Sequence, residues 1–180
     1  MRSSVATIML AGLVSISCNL ARAAPSLESG IKAAFLYKFV PFIEWPAGAF
    51  DTATSPVNIC VFGSDAVTDV IGDVVASQRV DQRPVNVRHL TTVTRNNGCH
   101  VLYVAGPDGA AAEEALSSVQ GTPILTVTDA LELPNASPII RFVLQANRVS
   151  FDIDQAAAAQ NTLTVSSKLL SLARRVRPRP

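Results

Sequence analysis

Four short runs rich in β-branched and apolar residues limit how this chain folds more than any other feature. Residues 57–62, 84–90, 99–105 and 124–128 each read as a strand; in the second, Val85 and Val87 alternate with Asn86 and Arg88. Gly63-Ser64-Asp65 turns the first run into a capped helix over 66–77, and the alanine-rich stretch 110–119 forms another that Gly121 closes. Strands that alternate with helices predict an α/β fold of three layers, a mostly parallel sheet covered on both faces. The pattern changes near the end. Residues 139–144 and 149–153 flank Gln145-Ala146-Asn147-Arg148, which predicts a C-terminal antiparallel hairpin at the sheet edge. The predicted core is Phe35, Phe39, Ile59, Val61, Val101, Leu102, Leu125, Val127, Phe142, Phe151 and Leu169.

Before the first strand, residues 31–39 predict a helix with Ile31, Ala34, Phe35 and Phe39 on one face, ended by Pro41. An aromatic turn through Trp45, the only tryptophan, then leads into a polar loop over 51–56. Residues 156–159 and 165–176 read as closing helices. Arg174, Arg175, Arg177 and Arg179 crowd the end and read as a solvated tail. With no internal repeat, residues 24–180 form a single domain.

Residues 1–23 read as a cleaved signal peptide. Arg2 supplies the positive start, residues 5–16 a short apolar run, and Ala21-Arg22-Ala23 the small-x-small pattern. Cys18 leaves with this leader; Ser15, three positions before it, does not fit a lipoprotein site. The exported remainder keeps Cys60 and Cys99, an even count with one pairing, in a compartment where disulfides persist. Closing that loop is worth roughly 4 kcal/mol in the chain-entropy treatment. The net charge of +1 becomes about −1 once Arg2 and Arg22 are gone, which gives no reason to expect nucleic acid as a partner.

Motifs for chemistry are absent: no phosphate-binding glycine loop, no H-E-x-x-H, no C-x-x-C. His100, beside Cys99 at a strand start, reads as a packed or hydrogen-bonded histidine. Glu113-Glu114 reads as a solvated helix face. Asp152 and Asp154 share one face of an edge strand, where a metal or a basic partner could bind, though this is the minor reading. Asp65, Asp108 and Asp129, at the carboxyl ends of strands, read as helix caps and turn formers. No catalytic constellation, metal or cofactor is expected.

Several motifs are familiar in kind. Lys32-Ala33-Ala34-Phe35-Leu36-Tyr37-x-Phe39 leads to Glu44-Trp45-Pro46. Ile59-Cys60-Val61-Phe62-Gly63, Cys99-His100-Val101-Leu102-Tyr103-Val104 and Leu125-Thr126-Val127-Thr128-Asp129 follow in order. Val149-x-Phe151-Asp152-Ile153 and the run from Leu163 to Ala173 complete the set. Together this series resembles the YfiR-like periplasmic family. The resemblance implies a soluble periplasmic α/β protein that represses an inner-membrane diguanylate cyclase by binding its periplasmic sensor portion, and that is itself titrated by an outer-membrane-associated lipoprotein. It also implies a Cys60–Cys99 disulfide. A second disulfide, found in the best-known member, has no cysteines here, and Asn135-Ala136-Ser137-Pro138, Asp154 and Pro41 depart from the family pattern.

Two functions follow as expectations. The first is regulation by protein contact, through Tyr37, Trp45, Lys168, Leu169 and Leu172, with a homodimer as a further assembly. The second is a small-molecule sensor acting on another membrane signalling protein, with Ser64, Arg141 and Lys168 as polar anchors beside Tyr37 and Trp45.

Overall fold

β-branched residues stiff at χ1 favour extended backbone, and the central strands form where they concentrate. The computed structural model describes residues 26–106, 109–130 and 133–179. The expected leader, with Cys18 and the cleavage pattern, lies outside the described residues, as do Pro107 and Asp108. The chain begins with α1 (Leu27–Lys38), whose N-cap Ser26 accepts from the Ser29 amide. A 3-10 turn at Val40–Phe42 carries Pro41, and β1 (Ile43–Glu44) follows. Then come β2 (Val57–Phe62), α2 (Ala66–Val75), β3 (Arg79–Val80), β4 (Arg83–Leu90), β5 (Val101–Val104), α3 (Gly109–Ser118) and β6 (Leu125–Thr128). The chain closes with β7 (Ile140–Gln145), β8 (Arg148–Asp154), α4 (Gln155–Gln160), β9 (Thr164–Val165), α5 (Ser167–Leu172) and β10 (Arg175–Arg177).

Eight strands form one sheet in the order β10-β8-β7-β6-β5-β2-β4-β3. From β4 through β7 every pairing is parallel, with α2 and α3 carrying the crossovers from β2 to β4 and from β5 to β6. β7 and β8 form the predicted antiparallel hairpin, with Ala146 and Asn147 at positive φ in its two-residue turn. Alternate side chains of one strand enter opposite layers. Val101 and Tyr103 join the core that also holds α1 and α2 residues, whereas Leu102 and Val104 join the one built with α3. The fold is thus a mostly parallel α/β sheet with helices on both faces, plus the small antiparallel pair β1–β9. All of the predicted core is buried except Phe35, which packs half-buried against it.

Three expectations need correction. The buried face of α1 is Ser29, Lys32, Ala33 and Leu36, while Ile31 is 37% exposed. The helix is rotated from its apolar reading because Lys32 points inward to an ionic partner. The segment read as one helix over 165–176 is β9, α5 and β10, since Arg175–Arg177 pairs in parallel with Asp152–Asp154. Backbone pairing there overrides the local helical pattern. It follows that β8 is not a sheet edge, because β10 covers it.

Candidate functional site

Parallel strands give the sheet two chemically distinct ends. At the amino ends, Cys60 of β2 is bonded to Cys99, with Cα atoms 5.7 Å apart. Next to that bridge, His100 acts as an extra rung between strands. Its backbone N–H donates to the Asn58 carbonyl (2.9 Å), and the Asn58 N–H donates to its ring Nδ1 (3.0 Å). Nε2 lies 3.0 Å from the Ala49 carbonyl oxygen. With a donor facing Nδ1 and an acceptor facing Nε2, only the neutral ring protonated at Nε2 satisfies both. Burial holds its pKa below the ordinary 6.5; Arg83 pushes the same way, while the Ala49 carbonyl and Asp51 oppose. Phe50 stacks on the ring at 4.1 Å between centroids, and Trp45 stands edge-on to both. Arg83 lies 3.9 Å over Phe50 and donates to the Thr52 and Ser55 carbonyls (2.7 and 2.9 Å).

The carboxyl ends are ionic. Lys32 of α1 reaches Glu28 (2.6 Å) and Asp129, just after β6 (3.1 Å). Burial alone lowers the Lys32 pKa, but the hydrogen bonds and charges of those two carboxylates outweigh it and raise the value above 10.5. Tyr103 donates to Asp65 Oδ2 (2.6 Å), while Oδ1 of the same carboxylate caps α2. Burial first, then the nearby Asp129 and Asp65, push the Tyr103 pKa above its usual 10.0. Asp65 is therefore a cap as expected, but Asp129 is an ion-pair partner. Open α/β sheets bind ligands where strand order reverses, here between β2 and β5. At that switch point the two strand ends approach closely. Gly63, at φ +86, sits so close to β5's end that a Cβ would collide with the Ala105 carbonyl oxygen.

Beside this end lies an open groove of about 460 Å³ lined by Lys32, Asp129, Arg141, Asp152, Arg174 and Arg175, with Phe142 to Leu144 as its apolar side. Arg141 is thus in a groove, but Ser64 is exposed elsewhere and Lys168 is exposed on α5, so the three expected anchors do not converge. The contact candidates are better assembled. β1 pairs with β9 (Ile43↔Val165), and the Ser166 amide donates to the Phe42 carbonyl (2.9 Å). This joins the segment carrying Trp45 to the helix carrying Lys168 and Leu172. Tyr37, Phe42, Trp45 and Leu170 are half-buried against the core, Leu169 is fully buried beneath them, and Leu172 is 66% exposed.

The arginine-rich end is solvent-exposed as expected, but it is paired to β8 and is not a loose tail. Arg174 grips Asp152 through two bonds (2.8 and 2.5 Å), and Arg177 reaches Asp154 (3.2 Å). The basic partner of the paired aspartates is the chain's own C-terminal strand. Sequence reasoning missed Lys32, Phe50 and Arg83; the one available signal was a lysine in the middle of an amphipathic helix. Among the described residues, no helix is long and apolar enough to cross a membrane, and no cluster of His, Cys, Asp and Glu is arranged to hold a metal.

No curated protein matches the sequence. The YfiR/HmsC-like family model matches residues 29–174, a span from α1 to the threshold of β10 that includes both ends of the sheet and the bridged cysteines. That match covers well over half of the chain, which therefore belongs to the YfiR/HmsC-like family.

Proposed function

We propose that this protein is an exported, periplasmic regulator without an enzymatic role, which binds the periplasmic portion of an inner-membrane diguanylate cyclase and represses it. Family membership supports regulation of diguanylate cyclase signalling. The observation that carries the contact reading is the β1–β9 pairing, which gathers Trp45, Lys168 and Leu172 from distant parts of the chain, with Leu172 standing clear of the core. A regulator of this kind biases its target only by its differential affinity for the active and inactive states, and a tenfold shift needs about 1.4 kcal/mol. A few half-exposed apolar side chains suit that scale. An outer-membrane-associated lipoprotein that competes for this protein would relieve the repression.

Deleting the gene raises cyclic-di-GMP, and re-expression restores it. Leu172→Glu, on an exposed side chain, keeps the fold but loses both repression and recovery of the cyclase from solubilised membranes. Unchanged cyclic-di-GMP, with no cyclase or kinase recovered, overturns the reading. A second reading, a small-molecule sensor, is favoured by the groove around Arg141 and Lys32. Thermal-shift titration with small amino acids and vitamins tests it, and flat melting temperatures throughout count against it.

A further inference from the structure

The loop that follows β1 is held to the sheet by a histidine that can serve both of its partners in only one charge state. Asn58 presents an N–H to Nδ1, and Ala49 presents a carbonyl oxygen to Nε2. A second ring proton would place N–H against N–H on the Asn58 side. It would also strand a backbone donor at the start of β2, a site where His100 is only 9% exposed. The ring's other ties to this loop are its 7° parallel stack with Phe50 and its edge-on contact with Trp45. We propose that residues 45–51 form an acid-released strap, latched to the sheet while His100 is neutral and let go when the imidazole is protonated.

The charged groups acting on the ring are Arg83, from the start of β4, and Asp51, from the strap itself. Arg83 opposes protonation, and Asp51 favours it. Asn58 on β2 and Ala49 on the strap bring backbone dipoles only, and Cys99 is locked in the disulfide. The opening has a defined limit. Arg83 keeps its bonds to the Thr52 and Ser55 carbonyls, so the chain beyond Asp51 stays docked. Release frees Phe50 from the imidazole, leaving Arg83 over its ring, and loosens Trp45, whose indole N–H is held only at 3.5 Å from the Val40 carbonyl. The device belongs to this chain alone and requires no partner, so it stands whether or not a cyclase is the target.

Trp45 is the chain's only tryptophan, so its emission reports on the strap directly. The full exported protein is titrated from about pH 8 to about pH 5, with circular dichroism to confirm that it stays folded. Trp45 emission is expected to change with a midpoint below the free-histidine value of 6.5. Over the same range the hydrogen-exchange protection factor of the Asn58 amide falls about tenfold for each unit separating the latched and released pKa values. His89→Gln keeps the transition, and His100→Gln abolishes it. If His100→Gln does not fold, the His100 ring resonance is followed by NMR in His89→Gln, and its midpoint must coincide with the Trp45 change. The inference is overturned by constant emission and protection across the range. A transition that survives in His100→Gln, disappears in His89→Gln, or has a midpoint different from the His100 resonance overturns it equally.

Discussion

The two ends of the parallel strands are fastened by opposite chemistry. At the amino ends a disulfide, an aromatic stack and a neutral imidazole do the holding; at the carboxyl ends a charged lysine, three carboxylates and a buried phenol do it. Linkage turns this into opposite weaknesses. The lowered pKa of His100 gives stability that is complete above 6.5 and is lost as pH falls from there through the folded value. The raised pKa of Lys32 gives stability that is complete below 10.5 and is lost as pH climbs through the folded value. Tyr103 adds to the same alkaline limb, from 10.0 upward. One end fails in acid and the other in base.

The largest effect is expected at the bridge. Replacing Cys60 and Cys99 with serine is expected to cost about 4 kcal/mol in denaturant unfolding. It should also lower the midpoint of the whole transition, because Cys60 sits inside β2; a loss under about 1 kcal/mol would show that the amino end is held mainly by its hydrogen bonds. Next in size is Lys32→Met, which leaves Asp129 and Glu28 without their cation and costs about 3 kcal/mol. The same variant should flatten the lysine part of the alkaline limb and leave the acid limb in place. If the acid limb changes instead, the two ends are coupled and the comparison fails. Tyr103→Phe removes one hydrogen bond to Asp65 and costs about 1 kcal/mol. The double change Asp152→Asn with Asp154→Asn is the smallest. Asparagine still caps α4, so only the exposed arginine pairs go. Faster amide exchange confined to Arg175–Arg177, matched in the unaltered protein at high salt, is the expected result; a global shift as large as that of Lys32→Met would make β10 a structural keystone.

How legible each end is follows from the range of its interactions. The bridge was readable because two cysteines allow one pairing, and the central strands because their apolar residues are continuous. The hairpin was readable from its turn residues and alternation. Lys32 was not, because hydropathy treats lysine as an outward residue and its partner Asp129 lies on another element. The same blindness rotated the predicted face of α1. β10 was hidden for a different reason. Leu169, Leu170, Leu172 and Ala173 carry a helical rhythm that nothing local interrupts, and the strand beyond exists only because β8 offers it a ladder and two carboxylates. Two-residue strands such as β1 and β9 have no sequence signature at all, yet they join the segment carrying Trp45 to the helix carrying Lys168 and Leu172.

That short pairing also has a kinetic side. Ile43 finds Val165 across most of the chain, so its closure carries nearly the full loop entropy of the protein and cannot help nucleate the fold. A chain made from its amino end holds its first helix and aromatic turn unfinished until the last strands arrive. The surface proposed to meet a partner is therefore completed late, only after β9 and α5 have been made.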